Sequence, residues 1–352
     1  MTSRERVLAA LNHSEGDRVP IHDSPWATTV RRWHEEGLPA GVTPQQYFGF
    51  EFSGTGADLT LRMPTEVVEE TDEYRIAWDG NGALRKNFRH STSTPECIDF
   101  KIKTAADWYA WKPKLEIGRD RVPWEGGLAA MRAVRDAGLW FPYSAATGYD
   151  KTQGVVGSER LLMAMATDPE WCADMFMTWT EMIIASATMM IDGGFVFDGA
   201  FLYDDMGYRN GPLFSPRMYR ELCQPAHAKV CDFFHRYDLK VILHSCGNVG
   251  PLVPDLIDAG FDCLEPLEVK AGMDLIALKE RYGERLAFMG GIDVRAMAHS
   301  DPAVIEREIR EKVGMAKRGG GYIYHSDHSV PDNVSFERYQ YVMELVHKHG
   351  QY

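Results

Sequence analysis

The chain has no long uninterrupted apolar run, and this absence removes the membrane-spanning classes first. Its most apolar window, 175–197, is broken by Glu181 and Asp192, whereas a spanning helix needs about 20 apolar residues. A buried helix is expected there instead. Basic residues are scarce too: 38 Lys and Arg stand against 51 Asp and Glu, a net charge of -13. Nucleic-acid binding depends on clustered Lys and Arg that displace phosphate counterions, so no nucleic-acid partner is expected. The six cysteines (Cys97, Cys172, Cys223, Cys231, Cys246, Cys263) show no framework spacing. The run Met1-Thr2-Ser3-Arg4-Glu5-Arg6 lacks the apolar core of a signal peptide. A reducing cytoplasm is the expected setting. No repeat, low-complexity tract or linker-like break interrupts the 352 residues, so one domain over 1–352 is expected.

What is present is an alternation. From 139 onward, short apolar runs at 139–144, 195–203, 240–244, 262–266, 286–290 and 321–325 are separated by helical patterns. The helices are expected at 158–166, 169–191, 216–237, 252–259, 274–282, 302–317 and 335–347. Strands alternating with helices mark βα units and a parallel sheet. A short helix at 2–12 and a strand opening at Arg18-Val19-Pro20-Ile21 precede them. The stretch 41–120 is irregular, with a strand-like piece at 73–78, and reads as an elaboration covering one mouth. The expected fold is α/β, a (β/α)8 TIM-type barrel with an N-terminal elaboration.

The sharpest chemical feature is Val241-Ile242-Leu243-His244-Ser245-Cys246-Gly247-Asn248. Side chains two apart on a strand point the same way, so the His244 ring and the Cys246 thiolate can reach one metal. The C-terminal ends of parallel barrel strands are where active sites are built. Spacing alone leaves a plainer alternative, a locally satisfied histidine beside a small buried cysteine. A third ligand should come from another strand end, and Tyr322-Ile323-Tyr324-His325-Ser326-Asp327-His328 offers His325 and His328. Three protein ligands with an open position would make a catalytic zinc site.

These segments carry a resemblance. The run His244-Ser245-Cys246-Gly247-Asn248, the helix end Asp258-Ala259-Gly260-Phe261-Asp262, then Leu286-Ala287-Phe288-Met289-Gly290-Gly291-Ile292-Asp293 and Gly319-Gly320-Gly321-Tyr322-Ile323 resemble the second half of a uroporphyrinogen decarboxylase superfamily chain. The likeness extends to Arg18-Val19-Pro20 and is most specific after Lys240. Within that superfamily it points to the corrinoid-linked zinc methyltransferases, of the coenzyme M or O-demethylase type. The resemblance implies zinc on His244 and Cys246, with His328 at the third position, where many relatives have cysteine. The decarboxylase branch needs an arginine-rich M-R-Q-A-G-R motif to hold carboxylates. Here the matching stretch is Ile21-His22-Asp23-Ser24-Pro25-Trp26-Ala27-Thr28, without arginine, and a poly-acid substrate would lose its counter-charge.

Two neutral imidazoles and one thiolate would leave zinc a net charge of about +1, favouring stabilisation of a leaving alkoxide or phenoxide. The expectation is therefore methyl transfer from a small methylated, methoxylated substrate to the cobalt of a corrinoid. Transfer to a thiol such as coenzyme M is the alternative. No D-x-H-x-x-G cobalamin signature occurs, so the corrinoid is expected on a separate partner protein. Asp204 and Asp205, after the strand ending at Tyr203, are candidates to orient substrate or donate a proton; a helix cap and a solvated turn would explain them as well. Glu265 is a candidate beside the metal, or a salt-bridged barrel residue. Asp23, Trp26 and Tyr149 are candidate substrate contacts, although aromatic residues are more often core.

Overall fold

The computed structural model describes residues 1–90 and 94–352. Near the N-terminus a four-stranded antiparallel sheet, β1 (Glu66–Glu70), β2 (Tyr74–Trp78), β3 (Ala83–Phe88) and β4 (Glu96–Phe100), is ordered as it runs in the chain. It is the elaboration expected in 41–120. Only β2 was legible, because β1 (Glu-Val-Val-Glu-Glu) is exposed along its whole length and shows no buried face.

The barrel follows: β5 (Pro142–Ala146) and β6 (Gly199–Tyr203), a two-residue ribbon β7 (Gly207–Tyr208) and β8 (Gly211–Pro212), then β9 (Lys240–His244), β10 (Cys263–Glu265), β11 (Ala287–Met289) and β12 (Tyr322–Ile323). Six of these form a parallel sheet in the order β12-β11-β10-β9-β6-β5. Two short segments join its edges. Residues 19–22 pair with the far edge, where His22 N–H donates to Tyr324 O at 3.0 Å and Tyr324 N–H to Pro20 O at 2.9 Å. Residues 50–55 pair with the near edge, where Trp140 N–H donates to Glu51 O at 2.9 Å and Ser144 N–H to Thr55 O at 2.9 Å. Glu51 N–H donates to Ile21 O at 2.9 Å and links the two segments. Backbone pairing thus runs around a ring of eight, the (β/α)8 arrangement.

The ring is filled by Phe52, Trp140, Phe201, Ile242, Cys263, Ala287, Met289 and Ile323. The helix Ser3–Leu11 turns Val7, Ala10 and Leu11 into the same cluster and stoppers the N-terminal end. Its start is set by a capping box between Thr2 and Glu5. The outer helices match expectation to within one or two residues at Ser158–Thr167, Pro169–Asp192, Leu275–Tyr282 and Pro302–Ala316. The helix expected at 216–237 is divided: a π-helical turn, Tyr219–Cys223, separates Pro216–Met218 from Gln224–His235. Pro225 explains the break, since it has no N–H to continue the i→i−4 ladder. The helix Gly148–Val156 was not expected; it has two glycines and no side-chain cap. Among the described residues no helix is long and apolar enough to cross a membrane.

Closure also relies on one buried carboxylate. Glu51 accepts from Arg6, from Arg18 Nη2 at 3.1 Å and from the Ile21 N–H at 2.6 Å, where the stopper helix meets the first two barrel segments. Glu51→Ala leaves the buried Ile21 N–H without its acceptor, while Arg6 keeps Asp17 as a partner, a loss of about 1–3 kcal/mol. Urea denaturation should show it as a lowered midpoint, and a midpoint unchanged within error would remove Glu51 from this role.

Candidate metal centre and active-site cavity

The parallel register assembles the site. Tyr203 of β6 and Glu265 of β10 both lie directly opposite His244 of β9, so three side chains on adjacent strands emerge at one level and on one face. The Tyr203 and His244 rings are 5.2 Å apart, and His244 Nδ1 donates to Glu265 Oε2. With Nδ1 engaged, Nε2 faces the cavity. Two residues on, Cys246 places its Sγ 3.4 Å from that nitrogen. Gly247 makes the turn possible: its φ is +78°, and a Cβ there would meet Gly207 backbone at 2.3 Å. Asp205, just past β6, accepts the Cys246 N–H at 2.8 Å and lies 3.4 Å from His244 Nε2. One ligand atom from each of Asp205, His244 and Cys246 falls within 4.8 Å of the others.

These groups polarise one another. Burial works against a charged His244, but Glu265 and Asp205 outweigh it and hold the imidazole well above its ordinary range. Burial likewise opposes ionisation of Glu265 and Asp205, and His244 carries both below the usual carboxylate range. Burial pushes the Cys246 thiol up to about 11 against the pull of His244. Asp205, Glu265 and the Cys246 thiol crowd one imidazole, a donor set suited to a bound cation.

A cavity of about 640 Å³ opens on this cluster, lined by Tyr203, Asp205, His244, Cys246, His325 and His328 among others. That volume suits a small organic ligand. His325 is buried, with Nδ1 3.5 Å from the second oxygen of Glu265 and Nε2 3.7 Å from Asp23. His328 lines the same cavity but lies outside the tight Asp205-His244-Cys246 group. Trp26 meets the His328 ring edge-on at 6.1 Å. Asp23 is buried behind the cavity wall, accepting from Ser326 and from Tyr339 OH at 2.7 Å.

Neither Asp23 nor Trp26, both expected as substrate contacts, is among the residues lining the cavity, and two further expected site residues, Asp204 and Tyr149, lie elsewhere. Asp204 is fully buried and faces the helix layer: it accepts the Asp150 N–H at 2.6 Å and lies 2.9 Å from His227 Nε2. The strand alternation that points Tyr203 and Asp205 to the cavity turns the residue between them away. Tyr149 is core, packed on Phe214 with its hydroxyl on Ser158. Conversely His22 and Tyr203 line the cavity although neither was singled out. The signal was available, since both end barrel strands. His22 stacks on Phe52 at 4.8 Å, and its Nδ1 is buried without a partner among the described residues.

The model of the uroporphyrinogen decarboxylase (URO-D) family matches residues 142–349, from β5 through the last helix. Curated relatives named uroporphyrinogen decarboxylase include one from Vesicomyosocius okutanii, 24% identical over 182 residues, covering 51% of this chain and 50% of that protein. One from Methylococcus capsulatus is 27% identical over 99 residues, 28% of this chain and 27% of that protein. The chain spans half or less of the length of these relatives. Among solved structures, a methyltransferase from Methanosarcina mazei superposes with a TM-score of 0.70 at 17% identity, covering 99% of each chain. That likeness concerns the fold.

The His22 environment predicts a pH effect on the metal-free protein. Burial, helped by His325, lowers this imidazole to about 3 from an ordinary 6.5. The unfolded chain therefore binds a proton that the folded one refuses, and stability falls as pH drops from 6.5 toward 3. One such proton is worth about 1.4 kcal/mol per pH unit. His22→Phe should flatten the slope of unfolding free energy against pH in that window, and an unchanged slope would refute the assignment.

Proposed function

Because the chain belongs to the uroporphyrinogen decarboxylase family, we propose that it is a zinc-dependent methyltransferase of that fold, moving a methyl group from a small methoxylated substrate to the cobalt of a corrinoid carried by a separate protein. The observation that carries this reading is the convergence of Asp205, His244 and Cys246 on one point of an open cavity. Imidazole, thiolate and carboxylate are zinc donors, and the Glu265 contact on Nδ1 is the usual support for a metal-binding histidine. His244 and Cys246 would hold the ion, with Asp205 or His328 as the further ligand. A bound zinc would supply Lewis acidity toward the oxygen that loses its methyl group. The protein groups around it have separable tasks. Glu265 orients His244, and Tyr203 and Phe52 wall the cavity with aromatic surface.

Decarboxylation of a poly-acid fits the cavity poorly. At the position matching the arginine motif stands His22, whose imidazole burial keeps uncharged near neutral pH, so a carboxylate there meets no counter-charge.

Metal analysis of the purified full chain should find about one zinc per molecule. His244→Ala and Cys246→Ala should each lose it, and Glu265→Gln should weaken zinc affinity by about 10–100-fold. Methoxylated donors incubated with a cobalt(I) corrinoid protein should give the methylcobalt absorbance with wild type and not with Cys246→Ala. Full metal content in both alanine variants, or equal methyl transfer in their hands, would end the proposal.

A further inference from the structure

A second and larger chamber, of about 1260 Å³, lies between the antiparallel sheet and the helices Gly148–Val156 and Ser158–Thr167. It meets the first cavity at the end of β5 and at Asp205. Ser144 lines the smaller space, Ala146 on the same strand face lines the larger, and Asp205 lines both. A ligand reaching out of the methyl-transfer cavity past Asp205 would enter this chamber.

Of the three cations in its lining, Arg85 is paired with Asp79, and Lys151 and Arg160 have no ion pair among the described residues. Lys151 Nζ has Asn81 Oδ1 at 3.5 Å and sits 5.2 Å over the Trp179 ring; among the described residues it has no carboxylate within 4.0 Å. Arg160 donates to the Val156 carbonyl and likewise has no salt bridge among the described residues. The indole Nε1 of Trp171, a residue of the same lining, is buried and has no partner among the described residues. A cation lining a cavity without a counter-charge favours a ligand that brings one.

Of the five carboxylates in the lining, four are engaged, and Glu159, next to Arg160 in the chain, has no side-chain partner among the described residues. Asp99 is held by Lys103 at 2.7 Å, Asp168 caps the helix Pro169–Asp192, and Asp205 takes the Cys246 N–H. Asp150 accepts from Gln153 Nε2 at 2.8 Å. Burial and the nearby Asp205 push its carboxyl up to about 6. The end lined by the two carboxylates Asp150 and Asp205 repels a further negative charge, while Lys151 and Arg160 attract one.

We propose that this chamber is a subsite for the anionic end, a carboxylate or a phosphate, of an elongated substrate whose uncharged end passes Asp205 into the smaller cavity. The inference rests on the methyl-transfer reading only for what that uncharged end carries.

Calorimetric binding to the full chain tests it with para-methoxyphenylpropanoate, the corresponding uncharged amide and para-methoxyphenyl phosphate. A charged hydrogen bond favours at least one anion over the amide by about tenfold or more, and the tighter of the two tells carboxylate from phosphate. Lys151→Met and Arg160→Met should each remove most of that preference; Arg160, on a helix surface, serves if Lys151→Met fails to fold. Cys246→Ser should keep the preference intact. Equal affinities for all three probes, or a preference that survives both methionine variants, overturns the subsite. A wild-type protein without zinc that still prefers the anion would instead overturn the methyl-transfer reading and leave the subsite standing.

Discussion

The contact between Glu265 and His244 is the constraint on which the rest of the site depends. It exists because parallel pairing sets the two residues directly opposite each other on adjacent strands, and it decides which ring nitrogen of His244 is left for a ligand. Asp205 and Cys246 then have a nitrogen to converge on. A buried carboxylate needs a partner of opposite charge or a set of donors, and Glu265 obtains both a short contact to His244 and a longer one to His325 at 3.5 Å. One residue therefore couples two histidines from strands that are not neighbours, β9 and the end of β12.

Elsewhere the same logic of burial and pairing separates residues that the chain places side by side. Asp204 and Asp205 are consecutive, yet one is locked to His227 and the Asp150 amide and the other opens on the cavity. The locked residue still serves the site indirectly. By holding the start of the helix Gly148–Val156 it sets where Asp150 and Lys151 face. Gly148, at φ +49°, permits this approach, because a Cβ there would stand 2.2 Å from Asp204 Oδ2.

The first two barrel segments make the opposite point. Residues 19–22 and 50–55 pair through only a few backbone bonds each, but without them the six-stranded sheet would keep two open edges. Glu51 and the helix Ser3–Leu11 stabilise this seam from below, and His22 emerges from it into the cavity above. The end that confers stability and the end that carries the chemistry are thus opposite ends of the same short segments, as in barrels generally.

Much of this was legible in the chain. The alternation of apolar runs with helical patterns determined the βα succession, and the H-x-C pair at the end of an apolar run determined that His244 and Cys246 share a face. Both follow from local periodicity, which needs no partner strand. What periodicity cannot carry is register. That Asp205 rather than Asp204 joins His244, that Glu265 takes its Nδ1, and that His22 and Tyr203 wall the cavity depend on how strands distant in sequence align. Tyr149 was read as a wall and is core for the same reason: a helix face is assigned by what packs on it. The second chamber lay wholly beyond the sequence, since lining residues such as Lys151, Arg160 and Trp171 sit on three helices and share nothing in the chain except the space they enclose.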